Sequence, residues 1–388
     1  MSLGPNEADP PAPRMDPAIL IFLLYLMILH ELVSGWMEYK KQVTKPKKKS
    51  GPLWSSRHMD TSSQAYEAAK NVSNSTECQL QKSHLAIPLL IGILSVGCLV
   101  FNSISLWIFW FKLKRWNSSI MLQFNLALVD ASILPITPLM VAYFILGNHW
   151  PFGEFLCQFQ AFMLGTHLYG SIYFLMLISV HRYQAIVHYS AKSLWRKKTF
   201  WKKLIWVFWV LLFLQGLLFF FLIKTLDLDG SRRCLTTYRS ELSHVFLIYS
   251  IVLMVLCFLL PFCISMASYV MLGAYIAQIS KATLQGRVIK TKSIQMITVA
   301  LVIFAICFMP YHICSTLATI LKHYGMPCES LRHIEISYYV SLVFTMVNCC
   351  LDPFIYNFAN ENFNRSFSRT LRRFFSSKQR KCASGKDQ

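Results

Sequence analysis

The 388-residue chain is 55% hydrophobic and only 14% charged, which is too apolar for an ordinary soluble protein. Its formal net charge of +20 could indicate a nucleic-acid partner, but the basic residues lie between long apolar blocks, where lipid headgroups and topology explain them better. The composition therefore predicts a polytopic membrane protein with no nucleic-acid partner.

Residues 1–84 form a polar, irregular tail that contains one apolar run, Ala18 to Leu29. That run is about twelve residues, too short to span a bilayer and typical of a signal-peptide core. Ser34 and Gly35 follow at a suitable cleavage distance, so a signal segment is expected at about residues 15–35. Asp16 argues against it, because the segment before such a core is usually basic; translation from Met15 is the alternative.

Two acceptor sequences for N-glycosylation lie in the same tail, at Asn71 and Asn74, each two residues before a serine or threonine. Their position just before the first apolar block indicates a glycosylated extracellular tail. Asn117 begins a third such sequence, which we interpret as a chance match because a three-residue motif is common.

Seven apolar blocks follow and predict an all-α bundle of seven transmembrane helices over residues 85–358. They run roughly over 85–111, 120–146, 155–180, 204–223, 243–273, 294–320 and 334–358. Basic residues are concentrated after the first, third and fifth blocks and in the tail 359–388, whereas Gly147 to Leu156 contains no lysine or arginine. The positive-inside rule therefore places the N-terminus outside and the C-terminus in the cytoplasm.

The third block ends at an arginine, Arg182, that follows Cys157 by 25 residues. At ~1.5 Å per residue this is about 37 Å of helix, enough to cross a bilayer. An arginine at such a position is a functional hypothesis by default, and the alternative is a side chain that only marks the end of the span.

The cytoplasmic tail begins with an amphipathic pattern. Phe363, Phe367, Leu371 and Phe374 recur at helical spacing, and Arg365, Arg369, Arg372 and Arg373 lie between them. This pattern predicts a helix in the inner membrane interface. Cys382 beyond it is either palmitoylated or a plain reduced cysteine.

Short motifs recur in the apolar blocks in a fixed order. They are Asn102; Leu126-Ala127-Leu128-Val129-Asp130; Trp150-Pro151-Phe152-Gly153 before Cys157; His181-Arg182-Tyr183; Pro261 and Tyr269; Cys307-Phe308-Met309-Pro310-Tyr311; and Asn348 with Asp352-Pro353-Phe354-Ile355-Tyr356. Together they resemble the rhodopsin-like (class A) G-protein-coupled receptors over roughly residues 78–382. The stretch Ile178 to Tyr183 is similar to the purinergic receptors, and Lys290 to His312 is similar to the branch that contains nucleotide, cysteinyl-leukotriene and lysophospholipid receptors.

The resemblance implies that Arg182 contacts a heterotrimeric G protein after the inner ends of helices five and six move. The activation set that it implies is His181, Arg182, Tyr183, Tyr269, Phe308, Pro310, Asp352, Pro353 and Tyr356. Pro310 and Pro353 break helix hydrogen bonds and provide hinges, although prolines are also tolerated in transmembrane helices without such a role. His181 replaces the usual acidic neighbour of Arg182, which suggests a weaker restraint and raised basal activity. The alternative is that histidine is simply normal here, as it is in the purinergic receptors that this stretch resembles.

The resemblance also implies an allosteric sodium ion held by Asp130, Ser171, Asn348 and Asp352 in the inactive state. A carboxyl group deep in a span must be neutralised by an ion, a proton or hydrogen bonds, so a protonated Asp130 is the alternative. No other metal and no other cofactor is expected.

Two disulfides are implied in the same way, Cys157 with Cys234 and Cys78 with Cys328. All four cysteines lie on the oxidising side in the predicted topology. The eight remaining cysteines are expected to be inert, small apolar residues.

The ligand pocket matches the nucleotide receptors poorly. At the positions of their phosphate-binding cations stand Ala161, Ser315 and Leu342, which leaves His312 in the bundle and Arg232 and Arg233 in the loop as polar candidates. The expected lining is Leu164, Leu168, Arg232, Arg233, Tyr311, His312, Ser315, Tyr338, Tyr339 and Leu342. This set favours a lipid-like or acidic amphiphilic ligand, with a nucleotide as the alternative, although aromatic residues at helix ends are also common interface anchors.

The sequence therefore predicts a plasma-membrane receptor rather than an enzyme. A transporter or channel is the competing class, but it should show repeated halves, broken helices or several charges near the membrane centre, and only Asp130 and Asp352 qualify. Arrestin and receptor kinases are further partners that the resemblance implies.

Overall fold

The computed structural model describes residues 86–187, 197–223, 225–228, 231–234, 243–278, 284–359 and 362–372. The expected signal segment, the acceptor sites Asn71 and Asn74, and the cysteines Cys78 and Cys382 lie outside the described residues.

Long apolar helices make up most of this part of the chain, and we number the spans in chain order. Three spans are single helices: the third is Gly153–Val187, the fourth Lys198–Leu222 and the seventh Cys328–Ala359. The first span is Ala86–Trp107 with a π-helical turn Ile108–Lys112, and the second is Ser118–Ala131 with Thr137–Ile145. The fifth consists of Ser243–Val252, Leu253–Leu259 and Leu260–Gln278, and the sixth of Leu284–Ile303, Phe304–Phe308 and Met309–His323. Six helices in the described ranges are individually long and apolar enough to cross a membrane.

The second span is the exception because it is broken over residues 132–136. Pro135 and Pro138 have no backbone N–H to donate, and Pro138 lies in the first turn of the helix Thr137–Ile145, where a proline is tolerated. Tight turns replace the missing helix, with the Ile136 N–H bonded to the Ile133 carbonyl at 3.2 Å. The single block predicted over 120–146 is therefore two helices.

The third span is the central element of the bundle. It packs against the second, fourth, fifth and sixth spans, and almost every side chain from Leu164 to Ser179 is buried. Gly170 permits this close approach, since a Cβ atom there would lie only 2.7 Å from Cγ1 of Val129. Close packing on several sides fixes this helix relative to its neighbours.

The fifth and sixth spans each contain a π-helical turn shortly before a proline. Leu253–Leu259 precedes Pro261, and Phe304–Phe308 precedes Pro310. A proline lacks the N–H and displaces the carbonyl one turn earlier, so a widened turn is a physical response to it. Pro353 lies inside the uninterrupted helix Cys328–Ala359. A widened turn thus precedes Pro310, where the sequence predicts a hinge, and a similar turn precedes Pro261.

Polar side chains tie neighbouring spans together inside the bundle. Nδ2 of Asn102 in the first span donates to the carbonyl of Cys349 in the seventh at 2.9 Å. Nε1 of Trp209 in the fourth span donates to Oδ1 of Asn125 in the second at 2.8 Å. These bonds satisfy groups that lipid would leave without a partner.

A buried disulfide joins Cys98 of the first span to Cys349 of the seventh, with Cα atoms 5.5 Å apart. The expectation that both would be inert, isolated residues is wrong for this pair, because helix packing brings their Cα atoms within disulfide range. Cys257, Cys263, Cys307, Cys314 and Cys350 are free.

The outer end of the bundle is covered by a short antiparallel hairpin, Leu226–Leu228 paired with Ser231–Arg233. A disulfide joins Cys234, next to this hairpin, to Cys157 at the start of the third span. The backbone N–H of Trp150 donates to the Arg232 carbonyl at 2.7 Å, and its buried ring packs against Tyr143. Two outer loops are therefore held against the third span.

A helix over residues 362–372 follows the seventh span. Phe363 and Phe367 are buried against the bundle, whereas Arg365 and Arg369 are exposed. This is the amphipathic arrangement predicted for the interface; Arg373 and Phe374 lie outside the described residues.

Candidate functional site

A cavity of about 120 Å³ lies in the outer half of the bundle, between the third, fourth, fifth, sixth and seventh spans. Its lining is mostly aliphatic and aromatic, with four tyrosines and three small hydroxyl side chains. The lining residues are Ala161, Leu164, Gly165, Leu168, Tyr169, Phe219, Leu222, Ile223, Phe246, Tyr249, Ser250, Leu253, Tyr311, Ser315, Thr319 and Tyr338. None of these carries a charge, so the cavity suits apolar or neutral polar groups.

The structure brings five of the predicted pocket residues together in this lining: Leu164, Leu168, Tyr311, Ser315 and Tyr338. Tyr249 of the fifth span was missed, since the apolar sequence of that span carries no signal of which face turns inward. The hydroxyl of Tyr249 is buried and, among the described residues, has no hydrogen-bond partner, which leaves a donor in the cavity wall.

The other five predicted pocket residues lie outside the lining. His312 is buried against the cavity wall and stacks on Phe258 with ring centres 4.6 Å apart. Leu342 belongs to a buried cluster with Met140 and Met346, because its position on the seventh helix turns it toward the second span. Tyr339 likewise packs edge-on against Phe144 of the second span, with ring centres 5.2 Å apart.

The two loop arginines differ from each other. Arg232 is exposed and pairs with Asp227 across the hairpin at 3.1 Å, an exposed pair that stabilises little. Arg233 is half-buried, and its charge acts on Glu335 at the outer end of the seventh span, as does that of Lys322 at the end of the sixth. Arg233, Lys322 and Glu335 therefore lie near one another at the outer end of the bundle, which we call the mouth.

A second polar site lies at the middle of the bundle, where Asp130, Ser171, Asn348 and Asp352 are all fully buried. Oγ of Ser171 donates to Oδ1 of Asp130 at 3.1 Å. Nδ2 of Asn348 donates to Oδ2 of Asp352 at 3.0 Å. The four residues predicted as sodium ligands are thus joined pairwise.

Three oxygen atoms of this cluster have no hydrogen-bond partner among the described residues: Oδ2 of Asp130, Oδ1 of Asn348 and Oδ1 of Asp352. Burying an oxygen atom without a hydrogen-bond partner costs free energy. Carboxylate and amide oxygens are the ligands that hard cations prefer. The residues present therefore fit a bound monovalent cation.

His167 is a member of this cluster that the sequence reasoning missed. Its Nδ1 lies 3.7 Å from Oδ1 of Asp130, and both side chains are fully buried. Its Nε2 lies 3.4 Å from the Thr345 carbonyl of the seventh span. The available signal was the spacing, since His167 precedes Ser171 by one helical turn and therefore shares its face.

The inner end of the third span carries Arg182. Its Nη2 donates to Oγ of Ser119, in the first turn of the second span, at 2.8 Å. The neighbouring His181 ring packs instead against the buried Trp201 of the fourth span, with ring centres 4.8 Å apart. The side chains of the motif thus turn toward different helices.

The remaining activation residues are distributed from the middle of the bundle to its inner end. Tyr356 is buried against Phe109 and Phe363, and Phe308 is buried against Phe304 within the sixth span. Tyr183 and Tyr269 are half-buried at the inner ends of the third and fifth spans. Tyr356 therefore connects the seventh span to the interfacial helix.

A bundle of seven spans with an outer cavity, a buried carboxylate cluster at its middle and an arginine at its inner end has the architecture of a seven-helix signalling receptor. Residues 101–356 match the family profile described as 7 transmembrane receptor (rhodopsin family). The chain is 32% identical over 283 residues to purinoceptor 2 of Homo sapiens, covering 73% of this chain and 75% of that protein. It is 29% identical over 314 residues to purinoceptor 1 of Meleagris gallopavo, covering 77% and 84%.

The chain therefore belongs to the rhodopsin family of seven-transmembrane receptors, in its purinergic branch. It is a multi-pass membrane protein that binds an extracellular ligand and has a G protein as its partner. Receptors of this family signal and are not enzymes, which confirms that prediction and excludes the transporter or channel alternative.

Proposed function

We propose that the ligand is an acidic amphiphile whose apolar part enters the outer cavity and whose anionic group lies at the mouth. The observation that carries this proposal is the uncharged lining of the cavity combined with Arg233 and Lys322 above it. Lys322 follows Thr319, which lines the cavity, by three residues on the same helix, so its position is one turn closer to the mouth.

In this arrangement the anionic group of the ligand finds its cationic partners at the mouth. An anion removed from water needs cations or several donors, and within the lining only hydroxyl groups such as those of Tyr249 and Ser315 can donate. These hydroxyls suit a hydroxyl or ester group further along the ligand.

The test is a screen of long-chain lysophospholipids, fatty acids and nucleotides on cells that express the receptor, with G-protein activation as the readout. For an active amphiphile, Arg233→Ala should raise the half-maximal concentration about tenfold or more, since a charged hydrogen-bond donor at a half-buried position is lost. Arg232→Ala is the matched control, because the exposed Arg232 is paired with Asp227, and it should change potency less than about twofold.

A nucleotide is the second candidate ligand, because the most similar relatives include proteins named purinoceptors. Activation by nucleotides with no response to any amphiphile would show that the proposed ligand class is wrong. Equal effects of Arg232→Ala and Arg233→Ala would remove the assigned role of Arg233.

Signal transmission depends, in this proposal, on Arg182 and Tyr269 at the inner ends of the third and fifth spans. Ligand binding shifts an existing equilibrium toward a state in which the inner ends of the fifth and sixth spans are apart. Arg182→Ala should abolish G-protein activation and leave surface expression largely intact, as measured across G-protein families at matched surface levels. Unchanged activation in Arg182→Ala would contradict this role.

We assign the carboxylate cluster to an allosteric sodium ion. Asp130, Asp352, Ser171 and Asn348 would hold the ion through their oxygen atoms, and its single positive charge would offset one carboxylate charge. Nδ1 of His167 lies 3.7 Å from Oδ1 of Asp130, beside this cluster. The Asp130→Asn variant should lose any dependence of basal activation on sodium, tested against an equal concentration of choline chloride.

The receptor lies in the plasma membrane with its N-terminus outside and its C-terminus in the cytoplasm, in keeping with the distribution of basic residues. Glycans at Asn71 and Asn74, a second disulfide between Cys78 and Cys328, and a palmitoyl group on Cys382 complete the proposal. Arrestin and receptor kinases are expected at the cytoplasmic side.

A further inference from the structure

The inner loops of this receptor contain no aspartate or glutamate. Residues 112–117, between the first and second spans, hold three basic residues, and residues 188–203 and 279–293 likewise hold only basic charges. Arg182 therefore lies beside loops that repel a cation. What holds its guanidinium in place cannot be a carboxylate from these loops.

Ser119 lies in hydrogen-bond contact with Arg182. The 2.8 Å bond from Nη2 of Arg182 to Oγ of Ser119 joins the inner end of the third span to the first turn of the second. A hydrogen bond from a charged donor is stronger than one between neutral groups. The bond thus links the two helices at this end.

The Ser119 hydroxyl is itself held in position. Nε2 of the fully buried Gln123, one helical turn later, donates to the same Oγ at 3.0 Å. The helix begins just before it, where Oδ1 of Asn117 accepts the Ile120 N–H at 2.9 Å and caps the first turn. Asn117 therefore has a capping role, and the sequence Asn117-Ser118-Ser119 forms the start of a well-fixed helix.

His181 does not hold the Arg182 side chain in place. Its ring packs on Trp201 of the fourth span, and an imidazole carries no negative charge that would attract a guanidinium. The residue that usually restrains this arginine in the family is thus replaced in sequence and turned away in space.

We propose that Ser119 is the positioning residue that holds Arg182 in the resting state, in place of the missing acidic neighbour. Arg182 must leave Ser119 before it can contact a G protein, so the strength of this bond sets the basal activity. The inference rests on the proposed role of Arg182 in coupling.

The test compares basal G-protein activation of four variants at matched surface levels, with no ligand added. Ser119→Ala removes the acceptor and should raise basal activation about fivefold, since a hydrogen bond to a charged donor shifts an equilibrium by roughly this factor or more. Ser119→Thr retains the hydroxyl and should behave like the wild type. Ser119→Asp supplies a carboxylate and should lower basal activation below the wild type.

Ser118→Ala is the matched control, because this neighbouring hydroxyl lies in the same helical turn and should have no effect. A second readout is the amount of nucleotide-free G protein that co-purifies with each variant, which should rise in Ser119→Ala and fall in Ser119→Asp. Opposite signs for the two variants distinguish a charge-dependent restraint from a mere loss of helix stability, which would move both in the same direction.

The outcomes also separate this inference from the role of Arg182 on which it rests. If Arg182→Ala abolishes activation but Ser119→Ala matches the wild type in both readouts, the restraint by Ser119 is wrong and the coupling role stands. If Ser119→Asp raises activation as Ser119→Ala does, the restraint is likewise overturned. If Arg182→Ala activates normally, the coupling role itself fails.

Discussion

The third span and the pair formed by the fifth and sixth spans are built in opposite ways. The third is an uninterrupted helix, Gly153–Val187, buried over most of its length and fixed at its outer end by the disulfide of Cys157. The fifth and sixth each contain a π-helical turn before a proline and expose apolar side chains such as Val270 and Ile306 to lipid. We call the third span the fixed axis, after its close packing, and the fifth and sixth spans the hinged helices, after the widened turns before their prolines.

This difference assigns separate tasks to the two regions. The fixed axis carries Ser171 and Arg182 and contributes Leu164 and Leu168 to the cavity, so one continuous helix connects these sites. The hinged helices contribute Tyr249 and Tyr311 to the same cavity. A ligand that moves them against the axis can therefore open the inner end.

The largest effect is expected from releasing the axis at its outer end. Cys157→Ser removes the bond to Cys234 and should cost about 2–5 kcal/mol of stability, with surface levels reduced by more than half. Surface staining and thermal unfolding in detergent measure both quantities. The control is Cys263→Ser, an exposed free cysteine of the fifth span; a Cys157→Ser receptor that matches this control would show that the outer anchor is dispensable.

Gly170→Ala should disturb the packing of the axis itself. The added Cβ would lie 2.7 Å from Cγ1 of Val129, and overpacking of this kind costs about 1–3 kcal/mol. Gly273→Ala, where a Cβ in the fifth span meets nothing within 4 Å, should be neutral or slightly stabilising. Equal unfolding temperatures for the two variants would erase the contrast between a tightly packed axis and a lipid-facing hinged helix.

Pro310→Ala should stiffen the hinge of the sixth span. The restored N–H can close the widened turn at Phe304–Phe308, so ligand-free and ligand-driven activation should both fall about threefold to tenfold, an effect of about 1 kcal/mol on the opening equilibrium. Pro138→Ala serves as the control, since Pro138 lies in the first turn of its helix, where a proline causes little strain. Full activity in Pro310→Ala would show that the hinge is elsewhere.

The smallest effect is expected between the two hinged helices. Oγ of Ser250 donates to Oγ1 of Thr316 at 3.3 Å, a long bond that joins the fifth and sixth spans. Ser250→Ala should change basal activation by about twofold or less, given ~0.5 kcal/mol for such a bond. Combined with Thr316→Val in a double-mutant cycle, the two effects should not add; strict additivity would mean that the helices move independently here.

Much of this architecture can be read from the sequence because it depends on runs and fixed spacings. Seven apolar blocks identify the spans, and the amphipathic pattern of Phe363 and Phe367 identifies the interfacial helix. The motifs around Asp130, Arg182 and Pro310 identify the family. In each case the information lies within one helix.

The features that could not be predicted depend on how separate helices turn toward one another. The contact of Arg182 with Ser119 and the pairing of Cys98 with Cys349 each require knowledge of relative helix rotation. The place of Tyr249 in the cavity lining depends on helix rotation too. A prolonged apolar run such as the fifth span gives no periodic signal of its inward face, since both lipid and core accept the same residues.

The length of the third span has a consequence for the response to bilayer thickness. At 35 residues it measures about 52 Å, well beyond a hydrocarbon layer of about 30 Å, and its neighbours shield most of it from lipid. Hydrophobic mismatch therefore acts mainly on the helices at the lipid-facing periphery of the bundle, whose tilt can adjust to a thicker or thinner membrane. Since the hinged fifth and sixth spans are among these, sterol-rich and sterol-poor membranes should bias the same receptor toward different resting tilts and hence different basal signals.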